Sequence, residues 1–122
     1  GRPIKLGEPL LLDLGGLGIR SFEYWPERKV YVIAAGPRGR GECRLFTWSG
    51  DAASSPRLAE QVHFKHFSPE AIVIYPDSAT VGIQVLSDDG RTSGHRNPAD
   101  AAPSFRSGWI RLEPASAPPD MP

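Results

Sequence analysis

Arg20 and Glu70 are the two residues whose types and placement best suit a ligand. Each stands at the start of an apolar run with strand character, fifty positions from the other. A guanidinium offers a planar fork of donors that matches a carboxylate or a phosphate. A carboxylate offers oxygens to a cation. The pair could therefore hold a small anion or a metal, or the two could neutralise each other. A second acidic group, Asp88 and Asp89, closes the run Val81–Leu86 in the sequence SDDG. With Glu70 these two form a candidate calcium set. Calcium takes roughly 6–8 oxygen ligands, so backbone, water or further segments would have to complete it. The plainer reading is turn chemistry, since Asp side chains readily bond nearby backbone amides.

Other reactive residues point away from catalysis. His63 and His66 are three apart, and residues three apart on a strand face opposite ways, which argues against a shared metal. His95 lies in a polar stretch. Cys43 is the single cysteine, which excludes an internal disulfide and a cysteine-based zinc site; a small core residue is its expected role. No Ser, Cys or His occupies a nucleophile elbow or a recognisable triad order, so no catalytic residue is assigned. Arg38, Arg40 and Arg44, near Phe46 and Trp48, have the composition of an anion or single-strand nucleic-acid surface. The chain carries 14 basic and 14 acidic residues, however, so a solvated hairpin tip is the expectation. Neither a nucleic acid nor a membrane is an expected partner.

What must position these residues is a set of short strands. The 122 residues suffice for one domain with one modest core. Apolar residues make up 39% and charged residues 23%, a globular balance rather than a disordered one. Thirteen glycines and thirteen prolines punctuate the chain into turns, which favours strands over helices. No run approaches the roughly 20 apolar residues of a membrane helix, and no signal peptide is visible. The compartment stays open, the periplasm and the exterior included.

In order, strands are expected at Pro9–Leu14, Ile19–Tyr24, Val30–Ala35, Cys43–Trp48, Ala59–Phe67, Ala71–Tyr75, Val81–Leu86 and Phe105–Leu112. Phe22 and Tyr24 share a face. Val30–Ala35 is apolar on both faces and belongs in the middle of a sheet. Cys43, Leu45 and Thr47 face one way, and Arg44, Phe46 and Trp48 the other. Trp25, Trp48 and Trp109 are expected between sheets. Residues 91–104 form a long polar excursion, and 113–122 a Pro-rich tail.

The pattern recurs. With Pro26 placed over Pro76, Arg20 falls on Glu70, Phe22 on Ile72 and Tyr24 on Ile74, while Leu12 and Leu14 fall on Val62 and Phe64. The second strands align at 53 residues, Val30 over Ile83. A period near 50 with about four strands is that of a β-propeller blade. The expected fold is therefore all-β, with antiparallel four-stranded sheets of blade type. Residues 1–112 form one β domain with repeats near 9–67 and 68–112. About two blades are present, and propellers typically have at least four. The partners implied are the remaining blades of a longer chain or copies of this one.

The segments GLGIR (Gly16–Arg20), AAGP (Ala34–Pro37), RLFTWSG (Arg44–Gly50), SPE (Ser68–Glu70) and LSDDG (Leu86–Gly90) carry a likeness to a known family. As an ordered set over roughly residues 10–112, they resemble the bacterial family named domain of unknown function 3616. The resemblance implies a propeller-like fold and transfers no catalytic residue. A looser similarity is to phytase-like propellers, whose sites use calcium. Three functions are in view: a structural or ligand-binding propeller segment without catalysis, a calcium-assisted phosphoesterase-like propeller, and a self-assembling β module.

Overall fold

The computed structural model describes residues 3, 5–75, 82–88 and 105–112, of Asp88 the backbone alone. Seven strands follow one another: β1 (Gly18–Trp25), β2 (Val30–Gly36), β3 (Arg44–Trp48), β4 (Arg57–Leu58), β5 (Pro69–Ile74), β6 (Ile83–Asp88) and β7 (Phe105–Ile110). Among the described residues there is no helix. Both sheets are antiparallel meanders, β1-β2-β3-β4 and β5-β6-β7. The all-β expectation is met, and the middle strand of the first sheet is β2, as its two-sided apolar run requires.

The two expected outer strands do not form as such. Pro9–Leu14 has no ladder; among the described residues it has no strand to pair with, and it ends in a turn where the Leu17 amide bonds the Leu14 carbonyl. Ala59–Phe67 is also not a continuous strand. The ladder beside β3 stops after Leu58, because the chain turns at Ala59, with Val62 N bonding Ala59 O at 3.0 Å. It returns to the sheet at a single bridge, Phe64 to Cys43. Residues 76–81 and 89–104 and the Pro-rich tail at 113–122 lie outside the described residues.

Alternation assigns each sheet two faces. In the first sheet the front carries Ser21, Glu23, Trp25, Val32, Ala34 and Leu45, and the back carries Phe22, Tyr24, Tyr31, Ile33, Phe46 and Trp48. In the second sheet Ala71, Val73, Tyr75, Gln84 and Trp109 form the front, and Ile72, Ile74, Ile83, Val85 and Ile110 the back. The main core is the first sheet's front against the second sheet's back, Trp25, Val32, Ala34 and Leu45 meeting Ile72, Ile83, Val85 and Ile110, with Val62 and Phe64 filling one side. A second core lies behind the first sheet, where Leu14 covers Ile33, Ala35, Phe46 and Trp48. Of the three tryptophans, Trp25 packs between the sheets, Trp48 lies in the second core, and Trp109 is 57% exposed.

β1 and β5 carry the same irregularity in their registers. β1 pairs Ile19 with Ala35 and Ser21 with Ala34, so Arg20 is an extra, bulged residue. β5 pairs Pro69 with Ser87 and Ala71 with Leu86, so Glu70 is bulged in the same way. Upstream, the chain turns at Leu14–Leu17 and again at Phe64–Phe67, through Gly15 (φ 66) and Gly16 (φ 87) in the first and through His66 (φ 55) in the second, so the two turns share their place and not their type. One expectation needs correction. The second strands align at 52 residues, Tyr31 rather than Val30 lying over Ile83, because Phe22 pairs with Ile33 and Ile72 with Val85. A slip of one residue exchanges the faces of a strand. With the corrected register, the back residues Tyr31, Ile33 and Trp48 fall on Ile83, Val85 and Ile110.

Candidate functional site

The two bulges bring Arg20 and Glu70 together. A bulge twists its strand and re-aims the extra side chain, and here both extra side chains meet where β1 and β5 lie side by side. Arg20 Nη1 donates to Glu70 Oε1 at 3.0 Å, and Arg20 Nη2 donates to the Pro37 carbonyl at 2.9 Å. The Ile72 amide donates to Ser21 Oγ at 3.1 Å, tying the same two strands one step further along. Of the two outcomes left open by sequence, ligand grip and mutual pairing, the pairing is the one present.

The pair is partly solvated, with side-chain exposures of 29% for Arg20 and 46% for Glu70. Exposed ion pairs contribute about 0–1 kcal/mol, so its role is registration of the two strands more than stability. A guanidinium has five donors. An anion at this end of the sheets would meet those that Glu70 and Pro37 leave available. Glu70 also lines a shallow hollow of about 240 Å³ with Leu86, Ser87 and Phe105.

Gly36 makes the arrangement sterically feasible. A Cβ there would lie 2.7 Å from Cys43 Sγ and 2.8 Å from Arg20 Nε. Cys43 is buried and its sulfur cannot retreat freely. Gly36→Ala is expected to destabilise the fold by about 1–3 kcal/mol in urea denaturation, and Cys43→Ala in that background should return part of the loss.

The other sequence candidates do not converge on this site. His63 Nδ1 lies 3.0 Å from Glu42 Oε1, and His66 serves a left-handed turn. Arg38 and Arg40 are exposed on the loop after β2. Arg44 lies in β3 with its Nε buried. Asp89 and His95 lie outside the described residues, and of Asp88 only the backbone is placed, paired with Phe105. Among the described residues, no group of three or more His, Cys, Asp or Glu is arranged to hold a metal ion. Sequence reasoning missed Ser21, Gly36 and the Pro37 carbonyl. Their signal is the AAGP segment, whose glycine precedes a proline at the point where a large side chain must cross the backbone.

No family model matches the chain, and neither a curated protein nor a solved structure does.

Proposed function

We propose that this chain is a pair of β-propeller-type blades with a structural or small-anion-binding role and no catalysis of its own. β1 and β5 are then successive inner strands, and Arg20 and Glu70 stand at the mouth of the central channel. The observation that carries the reading is the front-to-back stacking of two sheets that share the same bulge, each preceded by a turn at the matching place. Two sheets of a sandwich pack with both inner faces unlike their outer ones. Here the first sheet's front meets the second sheet's back, which is how equivalent units stack in series. The family resemblance implies the same architecture.

The calcium-assisted phosphoesterase reading gives Glu70, Asp88 and Asp89 to the metal and Arg20 to a substrate phosphate. The 3.0 Å contact between Arg20 and Glu70 works against it, since Glu70 Oε1 is already taken by the guanidinium and a calcium ion there would lie beside a fixed positive charge. Thermal melting across a calcium titration separates the two readings. The scaffold reading expects no change in Tm. A large rise, abolished in Glu70→Ala, would transfer the assignment to the calcium enzyme.

A further inference from the structure

We infer that the open faces of the two sheets are filled by second copies of this chain, stacked front to back into a closed ring. This rests on the blade reading above. The internal contact is the template. It seats the front of the first sheet on the back of the second, with Ser21 against Ile72 and Trp25 in the core. Two surfaces remain: the front of the second sheet, and the part of the first sheet's back around Phe22 and Tyr24 that the second core leaves exposed. They are equivalent by position to the two already in contact, so a second copy can repeat the internal geometry.

Three observations favour a copy of this chain over another partner. The first is the apolar exposure. Phe105 is 71% and Trp109 57% exposed on the second sheet's front, beside Val73 and Tyr75, while Phe22 and Tyr24 are exposed on the first sheet's back. The second is charge. Inside the chain, Arg20 of the front-presenting sheet meets Glu70 of the back-presenting sheet. At a junction between copies the roles exchange. Glu70 then belongs to the front-presenting sheet and Arg20 of the next copy to the back-presenting one, and the charges again match. A ring would carry alternating Arg20 and Glu70 around its mouth. The third is the missing fourth strand. β3 is flanked by β4 and by the Phe64 bridge, whereas β7 has no outer neighbour among the described residues. The segment Leu12–Leu17 corresponds to Val62–Phe67 in position and in its buried apolar side chains, but covers the back of the first sheet without joining a described one. In a ring it lies beside β7 of the neighbouring copy, with Leu14 opposite Phe105, the counterparts of Phe64 and Cys43.

Head-to-tail contacts close into rings or run on as fibres. Propellers typically hold 4–8 blades, so two blades per chain require about two to four copies.

Light scattering on the chain at high micromolar concentration is expected to give one discrete species of two to four copies. Trp109→Glu should reduce it to single copies that melt as one folded unit. Phe22→Cys and Ala71→Cys, placed on separate chains and oxidised together, should yield the mixed disulfide, because these positions correspond to Ile72 and Ser21. Glu70→Arg should disperse the assembly at low salt, and Arg20→Glu added to it should restore it. A folded monomer at all concentrations, or disulfides joining like positions only, overturns the ring. The blade reading fails separately, through the single chain: Ser21→Cys with Ile72→Cys should form an internal disulfide, and its absence would mean the two sheets are not stacked in this way.

Discussion

Trp25→Ala is expected to lower the unfolding free energy by about 3–5 kcal/mol, as for other buried aromatic truncations. Tyr75→Ala, the same position in the second sheet, should change it by under about 1 kcal/mol when single copies are measured in dilute solution. The two residues occupy matching places, each at the end of an inner strand on the front face. Their surroundings differ. Trp25 is fully buried between the sheets, and Tyr75 is 42% exposed. Trp25 is also fastened from outside: the Arg28 guanidinium lies 4.3 Å from the ring centroid and donates to the Leu112 carbonyl. That contact ties the first hairpin's turn to the chain after β7. The Tyr75 side chain makes a hydrogen bond to Gln84 at 2.8 Å and an aromatic contact to Trp109 at 5.3 Å between centroids. Among the described residues the buried indole Nε1 of Trp25 has no hydrogen-bond partner, so packing of the ring carries the expected loss. Trp25→Phe removes that atom and keeps most of the area, and should be far milder than the alanine change. Equal losses at Trp25 and Tyr75 in urea denaturation would mean the second sheet's front is as covered as the first's.

The strands were legible because alternation and β-branched runs survive in short segments. Val30–Ala35 announces a central strand by being apolar on both faces, and Phe22 with Tyr24 announces a strand with one apolar face. The correspondence is legible at β1 and β5, where Pro26 and Pro76 follow directly on Trp25 and Tyr75 in the sequence. It was misplaced by one residue in the second strands, because a hairpin loop two residues longer shifts the numbering without changing the pattern of apolar residues. The outer segments were over-read. Leu12, Leu14, Val62 and Phe64 have the alternation of a strand, yet the ladder depends on a neighbour at the right height, and a turn at Ala59 removes it. At the site, the residue types pointed to Arg20 and Glu70, and the geometry pairs them. What no composition discloses is the bulge. One extra residue in each inner strand changes neither the apolar pattern nor the length enough to be read, but it decides which way both side chains point.

Phe64→Ala is the second large effect, about 3–5 kcal/mol, although Phe64 belongs to no named strand. Its ring is buried in the main core and lies 6.1 Å from Phe67 between centroids. Its backbone holds the returning chain to Cys43 by a single bridge. Truncation therefore opens a cavity beneath the second sheet's back and loosens the segment that leads into β5. Leu14→Ala tests the same architecture one unit earlier and should cost about 2–5 kcal/mol, since Leu14 is buried against Ile33, Ala35 and Phe46. The two sites sit on opposite faces of the first sheet and share no core, so their effects should add to within about 0.5 kcal/mol in the double variant. If Leu14→Ala were silent while Phe64→Ala was severe, Leu12–Leu17 would be a loosely laid segment, and the matching place of the two residues would have no counterpart in energy. Matching losses would mean that an irregular stretch performs the work of an outer strand beside both sheets, through one buried side chain.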